Sequence, residues 1–188
     1  MELVIISQVM VLILAVPMGI ISAWNSETNI GKIITAFTFG VMSVPVFVMA
    51  LVLMLVFSLN LSWLPATGYV SLANGILANF QSLVLPGLSI AIVECVPLMR
   101  VLRSDMISTL QQDFILMARA KGLPMHTILI KHALRPSCLS FITIFGIQIG
   151  YIIGGAVVIE NIFSLPGLGS LLISAIHGRE INIVLGCI

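Results

Sequence analysis

Long, largely apolar runs alternate with short polar segments along the whole chain. A run of about 18 or more such residues is long enough to cross roughly 30 Å of hydrocarbon as a helix. The pattern therefore predicts four full membrane-spanning helices and the start of a fifth. The predicted spans are 3–24, 33–59 with a kink at Pro45, 82–99 and 136–159, and the fifth opens at 181.

The balance of apolar and charged residues supports a membrane location. Of the 188 residues, 60% are hydrophobic and 8% are charged, whereas a soluble domain carries about 25% charged residues. So few charges cannot cover a soluble globule, and a net charge of +1 does not suit a surface that binds nucleic acid. The predicted fold class is all-α, a polytopic transmembrane helix bundle in a single domain over 1–188.

Basic residues are distributed unevenly between the segments that connect the spans. Of the eight Lys and Arg, six lie within 100–135, and Lys32 lies in the loop that the span count places on the same side. Only Arg179 falls on the other side. Because Lys and Arg accumulate in cytoplasmic loops, we expect loops 25–32 and 100–135 to be cytoplasmic.

The segment 104–135 is long for a loop between spans, and it reads as helix–turn–helix. Ser108 with Gln111 and Gln112 suggests a capped helix start, followed by helix to Lys121 with Phe114, Met117, Ala118 and Lys121 at helical spacing. Gly122 can end this helix in a left-handed turn, and Pro124 can open a second helix that reaches Leu134.

Two runs in this loop carry a family resemblance. They read Asp113-Phe114-Ile115-Leu116-Met117-Ala118-Arg119-Ala120-Lys121-Gly122-Leu123 and Lys131-His132-Ala133-Leu134-Arg135-Pro136. They resemble the cytoplasmic signature of ABC importer permeases that work with a substrate-binding protein, in the dipeptide, oligopeptide, glutathione and nickel branch. Leu116 stands where the general signature has Glu, a departure typical of the peptide branch.

Two further segments resemble the same branch. They are Trp63-Leu64-Pro65-Ala66-Thr67-Gly68-Tyr69, similar to an external loop, and Glu160-Asn161-Ile162-Phe163-Ser164-Leu165-Pro166-Gly167-Leu168-Gly169, similar to the segment after the fifth family helix. Compared with the six-helix family pattern, this chain lacks the first span and almost all of the last. We therefore expect it to be the interior of a longer protein, truncated at both ends.

The resemblance implies a permease subunit of an ATP-driven importer in the bacterial inner (plasma) membrane, moving peptides or a related small solute. Its partners would be a homologous permease, expected as a heterodimer, two ATP-binding subunits, an external solute-binding protein and membrane lipid, without nucleic acid. The cytoplasmic loop would couple to the ATP-binding subunit. The matched residues are Asp113, Ala118, Arg119, Ala120, Lys121, Gly122, Leu123 and Leu134.

Glu94 is the one charge well inside a predicted span. It is a candidate for the translocation path, where it would meet a peptide amine or a metal; the other interpretation is a protonated or water-contacting Glu near the interface and Arg100. The sequence offers no nucleophile–base set, carboxylate pair or metal cluster. We therefore expect no catalytic residues, no metal site and no cofactor, with ATP hydrolysis carried by a partner.

Two other interpretations stay open. A secondary transporter or channel subunit would account for the spans, but it predicts more charges within the membrane and inverted repeats. A truncated, non-functional permease would share the ancestry without the transport. The sequence does not identify the solute.

Overall fold

The computed structural model describes residues 2–187, except for the side chains of residues 74, 153–155, 181 and 187. Over this range the regular elements are all helices, which confirms the all-α prediction. They are α1 (Glu2–Trp24), α2 (Asn29–Met42), α3 (Val46–Leu53), α4 (Ile76–Leu110), α5 (Asp113–Ala120), α6 (Met125–Thr127), α7 (Leu134–Gly155), α8 (Val157–Ile162), α9 (Leu168–Gly178) and α10 (Ile181–Cys187). π-Helical turns at Met54–Asn60 and Ile128–Ala133 follow α3 and α6, and a 3₁₀ turn covers Leu72–Asn74.

Three of the described helices are long and apolar enough to cross a membrane: Glu2–Trp24, Ile76–Leu110 and Met125–Ile152. A fourth candidate is a bent pair formed by Asn29–Met42 and Val46–Asn60. The number of candidate spans therefore agrees with the predicted polytopic bundle. A helix also begins at Ile181, where the sequence predicts the opening of a further span.

Within the predicted span 33–59 the chain breaks at Pro45 into two helices bent by 100° to each other, so the kink predicted at this proline is present. The proline ring disfavours helical geometry at the preceding residue, so α2 ends at Met42. Pro45 itself is extended, with ψ at 147°, and it starts α3 as the N-cap.

The helix ends around the long loop also differ from the prediction. Helix α4 runs without interruption to Leu110, so the helix start predicted at Ser108 is wrong, and α5 begins at Asp113 instead. The second loop helix is not separate either, because Met125–Ile152 forms one continuous span candidate across Pro136. A π-helical stretch ends three residues before this proline. Prolines and π-helical turns are the places where helices commonly kink.

The chain folds as two compact units. The first comprises Met1–Met10, Val44–Val93 and Ile149–Ile188. Its core is built from apolar side chains of α1, α3, α4, α7 and α8 and from the segment that follows α8, with Phe163 2% exposed and Leu85 fully buried. Gly87 lies close to Ile6 within this core.

The second unit comprises Val11–Ser43 and Glu94–Gln148. Its buried side chains include Val11, Leu98, Leu102 and Met106. Gly19 of α1 packs against Leu102 of α4 so closely that an added Cβ would lie 2.9 Å from a Leu102 methyl carbon. The prediction of a single domain over 1–188 stays a prediction.

Candidate functional site

Helix α5 is the centre of the loop that the sequence marks for coupling. It has only eight residues, and isolated helices of this length are unstable in water. Asp113 lies in its first turn, where a carboxylate favours the positive end of the helix dipole. Ile115 and Ala118 are buried against Ile128. We infer that packing against the following helical segment, rather than propensity, keeps α5 folded.

The turn after α5 is a complete Schellman motif. The Gly122 amide donates to the Arg119 carbonyl at 2.9 Å, and the Leu123 amide donates to the Ala118 carbonyl at 3.3 Å. Gly122 has φ at +72°, a left-handed conformation that a Cβ disfavours. The left-handed turn predicted at Gly122 is therefore confirmed, and the glycine is required by backbone geometry.

The eight matched loop residues do not share one environment. Ala118 is buried and Leu134 is half-buried. The other six are exposed: Asp113, Arg119, Ala120, Lys121, Gly122 and Leu123. Ala118 is consequently positioned to hold the loop fold rather than to contact a partner.

Helix α5 carries an exposed apolar face. Leu116 is 57% exposed and Met117 is 61% exposed, and Phe114 is exposed as well. The buried stripe is formed by Ile115 and Ala118, so Phe114 and Met117 lie on the opposite, exposed side of the helix. We call Phe114, Leu116 and Met117 the α5 apolar face.

Arg119 borders a polar cavity of about 570 Å³ in the second unit. The cavity also contacts Ala23, Trp24, Ser26, Ile107, Leu110, Gln111 and Met125. The loop 25–28 and the end of α4 therefore lie near Arg119 of α5. The α5 apolar face does not contribute to this cavity.

The second site lies in the first unit, where the Glu160 carboxylate caps α9. Its Oε2 accepts hydrogen bonds from the amides of Gly169 at 2.8 Å and Ser170 at 3.2 Å. These are the second and third residues of a helix that begins at Leu168, so the carboxylate satisfies two amides that have no partner inside the helix. Helix α9 was not predicted.

Two glycines allow this carboxylate to approach the helix. A Cβ on Gly167 would overlap the Glu160 carboxyl group, and a Cβ on Gly169 would overlap the backbone of Val157. Gly167 has φ at −153°, which any residue adopts, so the requirement for glycine here is a matter of space. The two glycines of the Gly-Leu-Gly sequence thus leave the space that the Glu160 carboxylate needs.

The two family-like segments 63–69 and 160–169 meet within the first unit. The Gly68 amide donates to the Phe163 carbonyl at 3.1 Å. Next to it, the Tyr69 hydroxyl donates to Glu2 Oε2 at 2.9 Å, and Asn79 Nδ2 donates to the same oxygen at 3.0 Å. The hydrogen bond to Glu2 raises the pKa of the Tyr69 phenol, because it holds the hydroxyl proton.

The Glu2 and Glu160 side chains both line a cavity of about 550 Å³ in the first unit. It is bordered by both glutamates and by mainly apolar residues, which are Leu3, Val4, Tyr69, Leu83, Ile152, Ala156, Leu165, Pro166, Gly167, Leu168 and Leu171. The first unit therefore holds a cavity with mainly apolar walls and two glutamates in its lining.

Glu94 has a polar partner in the second unit. Gln148 Nε2 donates to Glu94 Oε2 at 2.8 Å and to the Glu94 backbone carbonyl at 3.1 Å. Glu94 lies near the middle of a span candidate, where a charged side chain costs about 2.5–3.5 kcal/mol on insertion scales. Sequence reasoning singled out Glu94 but missed Gln148, because the two lie far apart in the chain.

The helices and the structured loop define an all-α, multi-pass membrane protein. A family profile described as "Binding-protein-dependent transport system inner membrane component" matches residues 15–188. The chain belongs to this family.

Curated relatives agree with this assignment. The chain is 37% identical over 185 residues, 97% of its length and 58% of the relative's, to the oligopeptide transport system permease protein AppB of Bacillus subtilis (strain 168). It is 39% identical over 173 residues (92% and 55%) to the oligopeptide transport system permease protein OppB of Haemophilus influenzae. It is 37% identical over 169 residues (90% and 54%) to a putative peptide transport system permease protein of Brucella abortus (strain 2308). The chain thus spans somewhat more than half the length of these relatives.

Proposed function

We propose that the protein containing this chain is the membrane permease subunit of an ATP-driven importer for peptides or a related small solute. The family membership and the relatives named as oligopeptide and peptide permeases support this function. Its partners would be a homologous permease, two ATP-binding subunits and an external solute-binding protein.

The observation that carries the coupling role is the α5 apolar face. Three large apolar side chains project from a short helix whose far side is already packed against Ile128. Exposed apolar groups on a polar loop are typical of a protein-binding surface, and a short helix fits a groove on a partner. We therefore place the ATP-binding subunit on this face, with Asp113, Arg119 and Lys121 at its charged rim.

The distribution of charge supports the orientation. Seven of the eight Lys and Arg are Lys32 and the six within 100–135, and Arg179 is the eighth. The positive-inside rule then places the loops 25–32 and 100–135, including α5, in the cytoplasm. This is the side on which ATP is available.

Co-purification tests the coupling. The full-length permease would be expressed with its ATP-binding subunit, and the amount of that subunit retained would be measured for the native protein, Leu116→Asp and Met117→Asp. Both variants place a carboxylate on the α5 apolar face without touching the buried stripe, so we expect retention to fall at least about tenfold while the permease stays folded.

The matched control is Leu72→Asp, an apolar residue of similar exposure, 49%, in the first unit. It should retain the ATP-binding subunit as the native protein does. Native retention by both α5 variants would overturn the coupling role. Ala118→Asp would bury a charge, so its loss of folded protein would report on the loop fold and not on docking.

A further inference from the structure

We propose that Glu94 and Gln148 form a binding site for a protonated primary amine, such as the amino terminus of a peptide, on the translocation path. The inference rests on the proposed transport function. It adds the chemical class of the ligand group, a primary ammonium, that the membrane part of the path would bind. It also adds Gln148 as a second residue that would bind this group.

The first step is the orientation of the Gln148 amide. Its Nε2 donates to two acceptors on Glu94, the carboxylate Oε2 and the backbone carbonyl. The NH₂ group must therefore face Glu94, and this fixes the amide oxygen on the other side. Gln148 is only 8% exposed, and its Oε1 is buried without a hydrogen-bond partner among the described residues.

The second step is the set of groups left over. Glu94 is half-buried, and among the described residues its hydrogen bonds engage Oε2 and the backbone carbonyl. The pair thus offers a carboxylate charge, a second carboxylate oxygen and the amide Oε1, all of them acceptors. A ligand that satisfies them must bring several N–H donors and a positive charge, and a primary ammonium carries three donors and one charge.

The third step concerns the conformational state. A buried acceptor without a hydrogen bond is unfavourable. In the arrangement seen here, Gln148 Oε1 is such an acceptor among the described residues. A movement of α4 relative to α7 that admitted an amine would supply that bond, so the ligand would favour the opened state by differential binding. Gln148 is then a positioning residue for the Glu94 carboxylate as well as a ligand in the opened state.

Equilibrium binding of labelled trialanine to the full-length transporter in nanodiscs, without the solute-binding protein, tests the site. Glu94→Gln keeps the shape and an acceptor for Gln148 Nε2 but removes the charge, and Gln148→Met keeps the volume but removes the amide. We expect affinity for trialanine to fall at least about tenfold in Glu94→Gln and by a smaller factor in Gln148→Met.

The controls are Glu27→Gln and Gln81→Met, exposed residues of the same types, which should bind as the native protein does. N-Acetyltrialanine, which lacks the ammonium group, should compete poorly. Native affinity in Glu94→Gln, equal competition by the acetylated peptide, displacement by Ni²⁺ but not by amines, or absence of trialanine binding to the native transporter would each overturn the proposal. Retention of the ATP-binding subunit in the same samples reports on the proposed function separately.

Discussion

Removing the Glu160 carboxylate should destabilise α9 selectively. Glu160→Ala deletes the acceptor for two amides, those of Gly169 and Ser170. Loss of an N-terminal cap costs about 0.5–2 kcal/mol, and loss of a negative charge at a helix N-terminus costs about 0.3–1 kcal/mol more. We therefore expect α9 to lose about 1–3 kcal/mol of local stability.

Hydrogen–deuterium exchange of the amides in 168–178 measures this loss directly. Because 1.4 kcal/mol corresponds to a factor of ten, local opening of α9 should become about 5- to 150-fold more frequent in Glu160→Ala. Glu27→Ala is the matched control, since Glu27 is an exposed acid in the other unit. The control should leave exchange in 168–178 unchanged.

Gly167 provides a second route to the same change. A Cβ at this position would overlap the Glu160 carboxyl group, which is the end of a flexible side chain and can move away. Gly167→Ala should therefore displace the cap and accelerate exchange about as much as Glu160→Ala does. Since both substitutions remove one interaction, the double variant should be no worse than either single variant. Native exchange in Glu160→Ala, or additive effects in the double variant, would refute this account of the segment.

Four further substitutions test single positions. Gly122→Ala places a Cβ on a residue with φ at +72° and should lower the stability of the loop by about 1–2 kcal/mol. Faster proteolysis of the loop would report this loss. Gly40→Ala adds a Cβ in open space within α2 and should raise the stability by up to about 1 kcal/mol. Gly146→Leu meets no described atom within 4 Å of its Cβ, so the melting temperature should be kept while crosslinking to a second permease subunit falls; unchanged crosslinking would show that this face is not an interface. Gln8→Met removes two buried polar atoms that lack partners among the described residues and should raise the melting temperature; a lower value would mean that the amide has a partner in the assembled protein.

The candidate spans could be predicted because length and apolar content alone decide which helices can cross a bilayer. The extension of α4 beyond 99 could not, since a charge normally marks the end of an apolar run. Arg100 lies over the Phe39 ring at 4.5 Å, and Arg103 Nε donates to the Ser22 carbonyl at 3.4 Å. Through these contacts within the second unit, both arginines have partners although the helix continues past them. The partners lie far away in the sequence, so no local sequence pattern predicts the contacts.

The register of α5 shows a different limit. Phe114 and Met117 are three residues apart, as are Ile115 and Ala118, so a helix of two turns offers two apolar stripes of equal spacing. Periodicity cannot choose between them. The choice is made by Ile128, which covers Ile115 and Ala118 and leaves the larger stripe exposed.

The Glu160 cap explains why helix α9 was not predicted from the sequence. Rules for helix starts look for a capping side chain at the residue before the helix or three positions on. At α9 the preceding residue is Gly167, and the capping carboxylate comes from nine residues before Gly169. The left-handed turn at Ser164, with φ at +53°, and the buried Phe163 reverse the chain so that Glu160 reaches the helix. The residues of the segment depend on one another. The Glu160 carboxylate needs the two glycines for space. The helix needs the carboxylate because Ser170 Oγ accepts the Gly167 amide at 3.0 Å, which leaves the amides of Gly169 and Ser170 to Glu160.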